Sequence, residues 1–157
     1  MKFSFRKAQK KDLFLLFDWA NDEVTRKNSF QTENISIENH TKWFEKKISD
    51  ENTFILIFEN KLEQPIGQVR IENKQNERII GISIDKNFRG KGLASKLIIA
   101  ACKQYFEQNG ECVINAYIKT ENHSSTKSFQ KSGFEIKDTL MINQTESYLL
   151  QKTLINE

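Results

Sequence analysis

The sequence has no long apolar run, only two cysteines and a single proline. Its longest apolar runs cover a few residues, which excludes a transmembrane helix, because such a helix needs about 20 apolar residues in succession. The first ten residues alternate polar and apolar side chains and lack the apolar core of a signal peptide. Cys102 and Cys112 have no metal-type spacing, so we expect buried thiols, no metal site and a reducing cytoplasm.

Charge is balanced and spread along the whole chain. The 24 basic and 21 acidic residues include no polybasic arm or block, so neither nucleic acid nor a membrane is expected as a partner. Hydrophobic residues make up 38% of the chain and include 12 phenylalanines, which excludes a disordered or fibrous protein. The length of 157 residues predicts one globular domain over residues 1–157.

Hydrophobic periodicity predicts the element order β-α-α-β-β-β-α-β-α-β-β. Alternating apolar residues indicate a first strand at Phe3 and Phe5 and later strands over 53–59, 66–72, 78–85, 112–119, 134–140 and 147–154. Helical spacing indicates helices over 12–21, 37–48, 92–108 and 122–133. The polar segment 22–35 is aperiodic, and its 14 residues are many for a connector, so it is predicted to be a functional loop.

Two of the six glycines stand where the long helix begins, in the stretch RGKGLA of residues 89–94. A strand that enters a helix through such a turn leaves backbone N–H groups unpaired, which makes an anion-binding site. Arg89 and Lys91 would add positive charge there. The pattern matches neither the P-loop nor the dinucleotide fingerprint, and a tight turn with solvated cations is the alternative interpretation. Gly81, in the preceding strand, is expected to mark a bulge.

The stretch RGKGLA resembles the R/Q-x-x-G-x-G/A signature of the GNAT superfamily of N-acetyltransferases, which also lies between a strand and a helix. NHSSTKSFQKSGF, from Asn122 to Phe134, resembles the second signature of that family. The resemblance implies an α/β (α+β) single-domain fold with a mixed, mostly antiparallel sheet of about seven strands flanked by four helices. It also implies an acyltransferase that uses acetyl-CoA as co-substrate and acts on a small-molecule amine.

By this resemblance, acetyl-CoA lies in a cleft between the strands over 79–85 and 112–119. The main-chain N–H groups that would hold its pyrophosphate belong to the glycine turn, namely Arg89, Gly90, Lys91, Gly92, Leu93, Ala94 and Ser95. The other cofactor-binding residues that it implies, mostly along the pantetheine arm, are Ile82, Ser83, Ile84, Asn122, Ser125 and Phe129.

Acetyl transfer to an amine also requires a donor for the oxyanion and a proton for the leaving thiolate. A backbone N–H near Ser83 or Ile84 is the expected oxyanion donor. Members of the family usually have a tyrosine where this chain has Phe129. The thiolate is therefore expected to take its proton from water or from another hydroxyl, at Tyr117, Ser125 or Tyr148.

The general base is a third requirement, and no carboxylate is obvious within the strand RIIGISI. His40 is the leading candidate, because an unperturbed imidazole titrates near neutral pH. The alternative is that His40 lies on the solvated face of its helix. Glu72 and Glu33 are weaker candidates, since each is expected to be a solvated charge.

The segment from Trp19 to Phe44 resembles a GNAT subgroup of bacterial surface-sugar pathways, in which the acceptor is a nucleotide-linked amino sugar. Arg26 and Lys27 would then meet a nucleotide diphosphate. The residues implied to line or support this pocket are Trp19, Asn21, Arg26, Ser29, His40 and Trp43, although both tryptophans also fit a core position. Acetylation of a protein N-terminus and a non-catalytic coenzyme A-binding module stay open as alternatives, as do a monomer and a homodimer.

Overall fold

The computed structural model describes residues 2–153, which contain seven strands and five α-helices. The strands are β1 (Phe3–Lys7), β2 (Phe54–Asn60), β3 (Pro65–Lys74), β4 (Glu77–Ile84), β5 (Val113–Lys119), β6 (Glu135–Ile142) and β7 (Thr145–Thr153). The helices are α1 (Leu13–Ala20), α2 (Glu23–Asn28), α3 (Ile37–Ser49), α4 (Leu93–Asn109) and α5 (His123–Lys131). Short 3-10 turns at Lys10–Asp12 and Lys86–Phe88 precede α1 and the start of α4.

The predicted fold class is confirmed, and the element order is correct with one addition. Helix α2 lies inside the segment 22–35, for which the sequence predicts a loop. Asp22 caps it by accepting the N–H of Thr25 at 3.1 Å, and six mostly polar residues are too few to show helical periodicity. Leu154, the predicted end of the last strand, lies outside the described residues.

The sheet has the strand order β1-β2-β3-β4-β5-β7-β6, and every neighbouring pair is antiparallel except β4 with β5. β3 and β4 keep one register from Gly67–Ile84 to Lys74–Glu77. The bulge predicted at Gly81 is therefore wrong.

Side chains alternate across the strands, so the sheet has two different faces. One face packs against α4 and α5 in the larger core, which includes Phe58, Leu97, Ile114 and Leu150. Cys102 is buried in that core as predicted, whereas Cys112 is only half-buried. No helix within residues 2–153 is long and apolar enough to cross a membrane.

The other face carries the smaller core, in which α1 and α3 cover β2. Its buried members are Leu16, Trp19, Phe44, Ile55 and Ile57. Beyond β2 this face is lined by polar side chains of β3, β4 and β5, and we call it the polar face. Its positions include Gln68, Arg70, Glu72, Glu77, Ser83, Asn115, Tyr117 and Lys119.

Arg6 and Asp12 join β1 to the start of α1. Two guanidinium nitrogens donate to the two carboxylate oxygens at 2.8 and 2.9 Å, and Gln9 N–H donates to the same carboxylate at 2.7 Å. Burial alone would raise the pKa of Asp12, but these hydrogen bonds and the charge of Arg6 outweigh it and lower the pKa. The stabilisation is therefore complete above the pKa of the unfolded chain and is lost as the pH falls through the folded value.

We expect the free energy of unfolding to decrease as the pH falls below about 4. Urea denaturation between pH 2 and 7 measures it, and Asp12→Asn should give a shallower decrease than the wild type. Asp22 and Glu72, whose pKa values are also lowered, should retain part of the acid sensitivity in that variant. An unchanged acid slope in Asp12→Asn would show that the ion pair does not contribute.

Candidate active site

The two central strands separate along most of their length. β4 and β5 pair at only two positions, Arg78–Ile114 and Ile79–Asn115. The last five residues of β4 and the last four of β5 do not pair with each other. A wedge-shaped cleft therefore opens in the middle of the sheet, on the side where β4 leads into the glycine turn.

Hydrogen-bond alternation shows which backbone groups of β4 face this cleft. The N–H of Asp85 donates to the carbonyl of Ile66 at 2.9 Å, so every second residue before Asp85 also points towards β3. Ser83 is one of them, whereas the N–H and C=O groups of Ile82 and Ile84 point into the cleft. This excludes the backbone N–H of Ser83 as the oxyanion donor and leaves Ile84 in the expected position.

The opposite wall of the cleft follows from the pairing of β5 with β7. The N–H of Thr120 donates to the carbonyl of Glu146 at 3.1 Å, so the backbone groups of Tyr117 and Lys119 point away from β7. The carbonyl of Lys119 accepts the N–H of Asn122 at 2.9 Å, which uses one of these groups. Each wall thus offers backbone donors and acceptors to an extended ligand placed between them.

The glycine turn stands at the open end of the cleft. Gly90 and Gly92 have φ values of 74° and 70°, in the left-handed region that other residues rarely adopt. A Cβ at either position would have no heavy atom within 4 Å. Gly92 is the N-cap of α4 and supplies no side-chain cap, so the first N–H groups of the helix face open space. Leu93, which is buried, anchors this end of the helix in the core.

Arg89 and Lys119 connect the cleft to α2. The Arg89 guanidinium donates to the Asp22 carboxylate at 2.6 Å and to the carbonyl of Ile84 at 3.1 Å. The ammonium of the buried Lys119 donates to the carbonyl of Lys27, at the other end of α2, at 2.9 Å. Helix α2 therefore bridges from the glycine turn to the end of β5. The Arg89 side chain is committed to this bridge and is not a free flanking charge.

The second signature forms α5 and the turn after it. Asn122 is the N-cap and accepts the N–H of Ser125 at 3.2 Å. Phe129, at 3% exposure, packs edge-to-face against Phe134 with ring centroids 5.1 Å apart. Phe129 is therefore part of the larger core, and Tyr148 also packs against this core.

A carboxylate that the sequence analysis did not identify lies on the polar face. Glu77 accepts hydrogen bonds from the Tyr117 hydroxyl and, at 2.8 Å, from the Asn115 amide, which itself accepts from Gln151 at 2.9 Å. Glu77 is half-buried next to the two β4–β5 pairs, where the cleft begins. Alternate residues of a strand lie on the same face, so counting back from Ser83 through Gly81 and Ile79 could have placed Glu77 on this face.

The hydroxyl of Tyr117 is a weak acid in this network. Burial, the hydrogen bond to Glu77 and the charge of Glu77 together raise the pKa of Tyr117 to about 12. Ser83, farther along the same face, accepts a hydrogen bond from Gln68 at 3.2 Å. Its side chain therefore lies on the polar face and not in the backbone cleft.

Residues 2–135 match the family model described as "Acetyltransferase (GNAT) domain". This chain belongs to that family. An uncharacterized N-acetyltransferase of Methanocaldococcus jannaschii is 28% identical over an alignment of 107 residues that covers 63% of this chain and 45% of that protein. The match thus spans less than half of the curated relative. Family and relative both support an acyltransferase.

Solved structures show the same GNAT fold. The spermidine N-acetyltransferase of Vibrio cholerae, crystallised with CoA and spermine, has a TM-score of 0.85 and 19% identity, with 96% of this chain and 95% of that chain covered. The ribosomal-protein-alanine N-acetyltransferase of Brucella melitensis has a TM-score of 0.82 and 22% identity, with 96% and 99% covered. Their different acceptors leave the acceptor of this GNAT chain open.

His40, the predicted base, is placed in the core of this GNAT domain. It is 3% exposed, its ring packs near Phe17, Trp43 and Phe44, and its Nε2 lies 2.8 Å from the carbonyl oxygen of Leu13. Because a carbonyl oxygen only accepts, Nε2 carries the proton and donates it there. The prediction that His40 is the general base is therefore corrected, because the ring is buried and its Nε2 is used by Leu13, and so is the alternative of a solvated helix face.

The segment 22–35, which we call the acceptor loop because it is predicted to border the acceptor pocket, is fixed by hydrogen bonds to its own and neighbouring residues. The amide of Asn21 donates to the carbonyl of Ile35 at 2.9 Å and accepts its N–H at 2.7 Å. The guanidinium of Arg26 donates to the carbonyl of Ala20, at the end of α1, and to oxygens of Ser29, Gln31 and Glu33. Four of its five N–H donors are therefore used, so no free pair of donors is left for the predicted contact of Arg26 with a diphosphate. Lys27, by contrast, is exposed.

The two tryptophans have different surroundings. Trp19 is buried in the smaller core, and its indole N–H donates to Asp85 at 2.8 Å. Trp43 is half-buried at the edge of that core, with the Arg70 guanidinium 5.5 Å from its ring centroid. Trp19 therefore supports the site from behind, while Trp43 borders the polar face. Residues 2–153 contain no group of three His, Cys, Asp or Glu side chains placed to hold a metal ion.

Proposed function

We propose that this chain is an acetyl-CoA-dependent N-acetyltransferase that acetylates a primary amine. The observation that carries the proposal is the cleft between β4 and β5, whose walls present unpaired backbone groups and whose open end meets the bare N-terminus of α4. An extended pantetheine arm is complementary to such walls, and a pyrophosphate is complementary to such a helix start.

The residues of the glycine turn fit a pyrophosphate. Gly90 and Gly92 leave the backbone of the turn open, and the N–H groups from Arg89 to Ser95 would hold the phosphates. Ile82 and Ile84 would hold the arm on one side and Tyr117 on the other. Asn122 and Ser125, at the start of α5, would contact the arm from the β5 side.

The chemistry forms a bond between the amine nitrogen and the acetyl carbon and breaks the bond from that carbon to sulfur. We assign the oxyanion donor to the N–H of Ile84 or Ile82, the groups of β4 that face the cleft. Glu77 takes the amine proton, directly or through water. The Tyr117 hydroxyl already donates its hydrogen bond to Glu77, which helps to raise its pKa to about 12, so we assign protonation of the thiolate to solvent. An alkyl thiol, whose pKa is about 8.5, is mostly protonated at neutral pH and needs no dedicated acid.

For the acceptor, we propose a nucleotide-linked amino sugar. The sequence of the acceptor loop supports it, because it resembles the subgroup of surface-sugar pathways. Trp43 at the edge of the polar face also supports it, since an aromatic ring there could stack on a base or an apolar sugar face. Helix α2 bridges the glycine turn and the end of β5, so we expect the amine to approach the cleft along the polar face. Of the predicted acceptor residues, we assign contact with the substrate to Trp43. Asn21, Arg26 and Ser29 would support the conformation of the acceptor loop.

A turnover assay tests the function. Purified protein and acetyl-CoA are incubated with a nucleotide-linked amino sugar, with spermidine and with a peptide that carries a free N-terminal alanine, and the released thiol is measured. Transfer to the nucleotide amino sugar alone supports the proposal, and preference for the peptide would make it an N-terminal acetyltransferase. Binding of acetyl-CoA without turnover of any amine would indicate a non-catalytic module.

A further inference from the structure

Arg70 lies at the centre of the polar face, where contacts with Gly81 and Trp43 restrict the position of its side chain. It lies on β3 directly opposite Gly81 of β4, and its side chain extends across that glycine. A Cβ at Gly81 would be 3.6 Å from Nε of Arg70 and 3.8 Å from its Cζ, so the side chain rests on the bare backbone. The ring centroid of Trp43, on α3, lies 5.5 Å from Cζ of Arg70. These two contacts restrict the positions that the guanidinium can take.

The guanidinium of Arg70 has no hydrogen bond or salt bridge with any residue of the described range 2–153. The neighbouring carboxylate, Glu72, is paired with Lys47 at 3.5 Å and Lys74 at 3.2 Å, although it is near enough for the charge of Arg70 to contribute to lowering its pKa. Arg70 is half-buried, and no guanidinium nitrogen of it is a buried atom without a partner, so its five donors are open to solvent or to a ligand.

A second cation faces it. Burial, and then repulsion by the charge of Arg70, lowers the pKa of Arg26. Arg26 uses four of its five N–H donors on oxygens of Ala20 and of the loop, so it mainly adds positive potential to the site. An anion bound at Arg70 would relieve this repulsion.

We propose that Arg70 is a specificity-determining residue that binds an oxyanion, a carboxylate or a phosphate, carried by the amine acceptor. The inference rests on the proposed function, because it places the acceptor on the polar face. Tyr117 lies two residues beyond Asn115, which pairs with Ile79, so Tyr117 and Gly81 are at the same level of the sheet. Gly81, which has no side chain, thus lies between Arg70 on the β3 side and the Glu77–Tyr117 pair on the β5 side.

This arrangement suits an acceptor with an amine at one end and an acid group at the other. The amine would lie at Glu77, and the acid group would reach across Gly81 to the planar fork of Arg70, which matches carboxylate and phosphate geometry. The backbones of β3 and β5 are more than two strand spacings apart here, that is more than about 10 Å, because the cleft has opened between β4 and β5. Side chains from both strands shorten the gap. A polyamine has no group for Arg70 and would be repelled by it.

The test uses matched acceptors at saturating acetyl-CoA: glucosamine and glucosamine 6-phosphate, a nucleotide-linked amino sugar, an amino acid and its amide, and spermidine. In the wild type, kcat/KM for the acid-bearing member of a pair should exceed that of its neutral partner by about tenfold to a hundredfold. The phosphate and carboxylate pairs distinguish the two sources of the oxyanion. Equal values within every pair, or a preference for spermidine, would overturn the inference.

Two variants locate the effect. Arg70→Met keeps an apolar stem on Gly81 and Trp43 but removes the fork, so it should abolish the preference within each pair, through a loss of kcat/KM for the acid-bearing member, while KM for acetyl-CoA stays the same. Arg78→Met makes the same change in net charge on the opposite face, where Arg78 contacts Tyr105, and should keep the preference. A preference that survives Arg70→Met, or that is lost equally in Arg78→Met, would overturn the role of Arg70.

Failure of the proposed function remains distinguishable from failure of this inference. If no amine is acetylated, equilibrium titration of glucosamine 6-phosphate and of glucosamine into the CoA-bound wild type and Arg70→Met decides the inference alone. Tighter binding of the phosphate to the wild type, lost in Arg70→Met, would support it. Equal binding of both sugars to both proteins would contradict it.

Discussion

Gly92→Asp is expected to abolish the stabilisation of the fold by acetyl-CoA. A ligand that binds only the native state adds about 2.7 kcal/mol at 100 times its Kd, so the wild type should show a clear rise in Tm. In the variant, a carboxylate would stand in the open space at the start of α4, where the N–H groups would hold the pyrophosphate. Repulsion of the phosphates should remove the rise in Tm at millimolar acetyl-CoA.

Gly92→Asn is the matched control for this experiment. Asparagine has the same shape as aspartate and is tolerated at a φ of 70°, so both variants carry a similar backbone cost of about 1–2 kcal/mol. Only the charge differs between them. Gly92→Asn should therefore keep part of the ligand-dependent rise in Tm. Equal shifts for Asp, Asn and wild type would show that the turn does not hold the pyrophosphate.

The fold was predictable because its elements are long and periodic. α4 buries apolar residues at helical spacing, and β2 is a run of five buried apolar residues, and both patterns are visible in the sequence alone. Helix α2 was missed for the opposite reason. Its stability comes from the Asp22 cap and from contacts with Arg89 and Lys119, which lie far away in the sequence. Long-range contacts of this kind have no local signal.

The candidate site was predictable only where it depends on the local chain. The glycine turn has left-handed backbone at Gly90 and Gly92, and glycine is the residue that adopts this conformation most readily, so the residue type itself indicates the turn. Strand alternation places Glu77 on the polar face, but its role could not be recognised, because its partners Asn115 and Tyr117 become neighbours only when β5 joins β4 in the sheet.

His40 was mistaken for a base because the sequence cannot show which side of α3 meets α1. Its Nε2 partner is the backbone carbonyl of Leu13, at the start of that helix. The same limit applies to Arg26, because three of its four acceptors are backbone carbonyls, which carry no residue-type signal. In both cases backbone carbonyls bind a polar side chain that the sequence analysis expected to be available for a ligand.

The largest loss of activity is expected from Glu77→Gln. Glutamine keeps the size of the side chain and still accepts the hydrogen bond from Tyr117, but it cannot take the proton of the amine. If Glu77 is the base, kcat/KM for the amine should fall by about 10²–10⁴-fold. Because the glycine turn is untouched, the rise in Tm with acetyl-CoA should stay the same. Steady-state kinetics with the best acceptor of the amine panel measures the effect.

His40→Gln makes a comparable loss of basicity away from the cleft, and it is the control for Glu77→Gln. Since His40 is buried between α1 and α3, that variant should lose about 1–3 kcal/mol of stability while its kcat/KM, measured well below its Tm, stays near the wild-type value. The opposite pattern, with a slow His40→Gln and a normal Glu77→Gln, would remove Glu77 from the mechanism. It would also require α3 to turn His40 towards the polar face during turnover, because the Leu13 carbonyl holds its Nε2 in the structure described here.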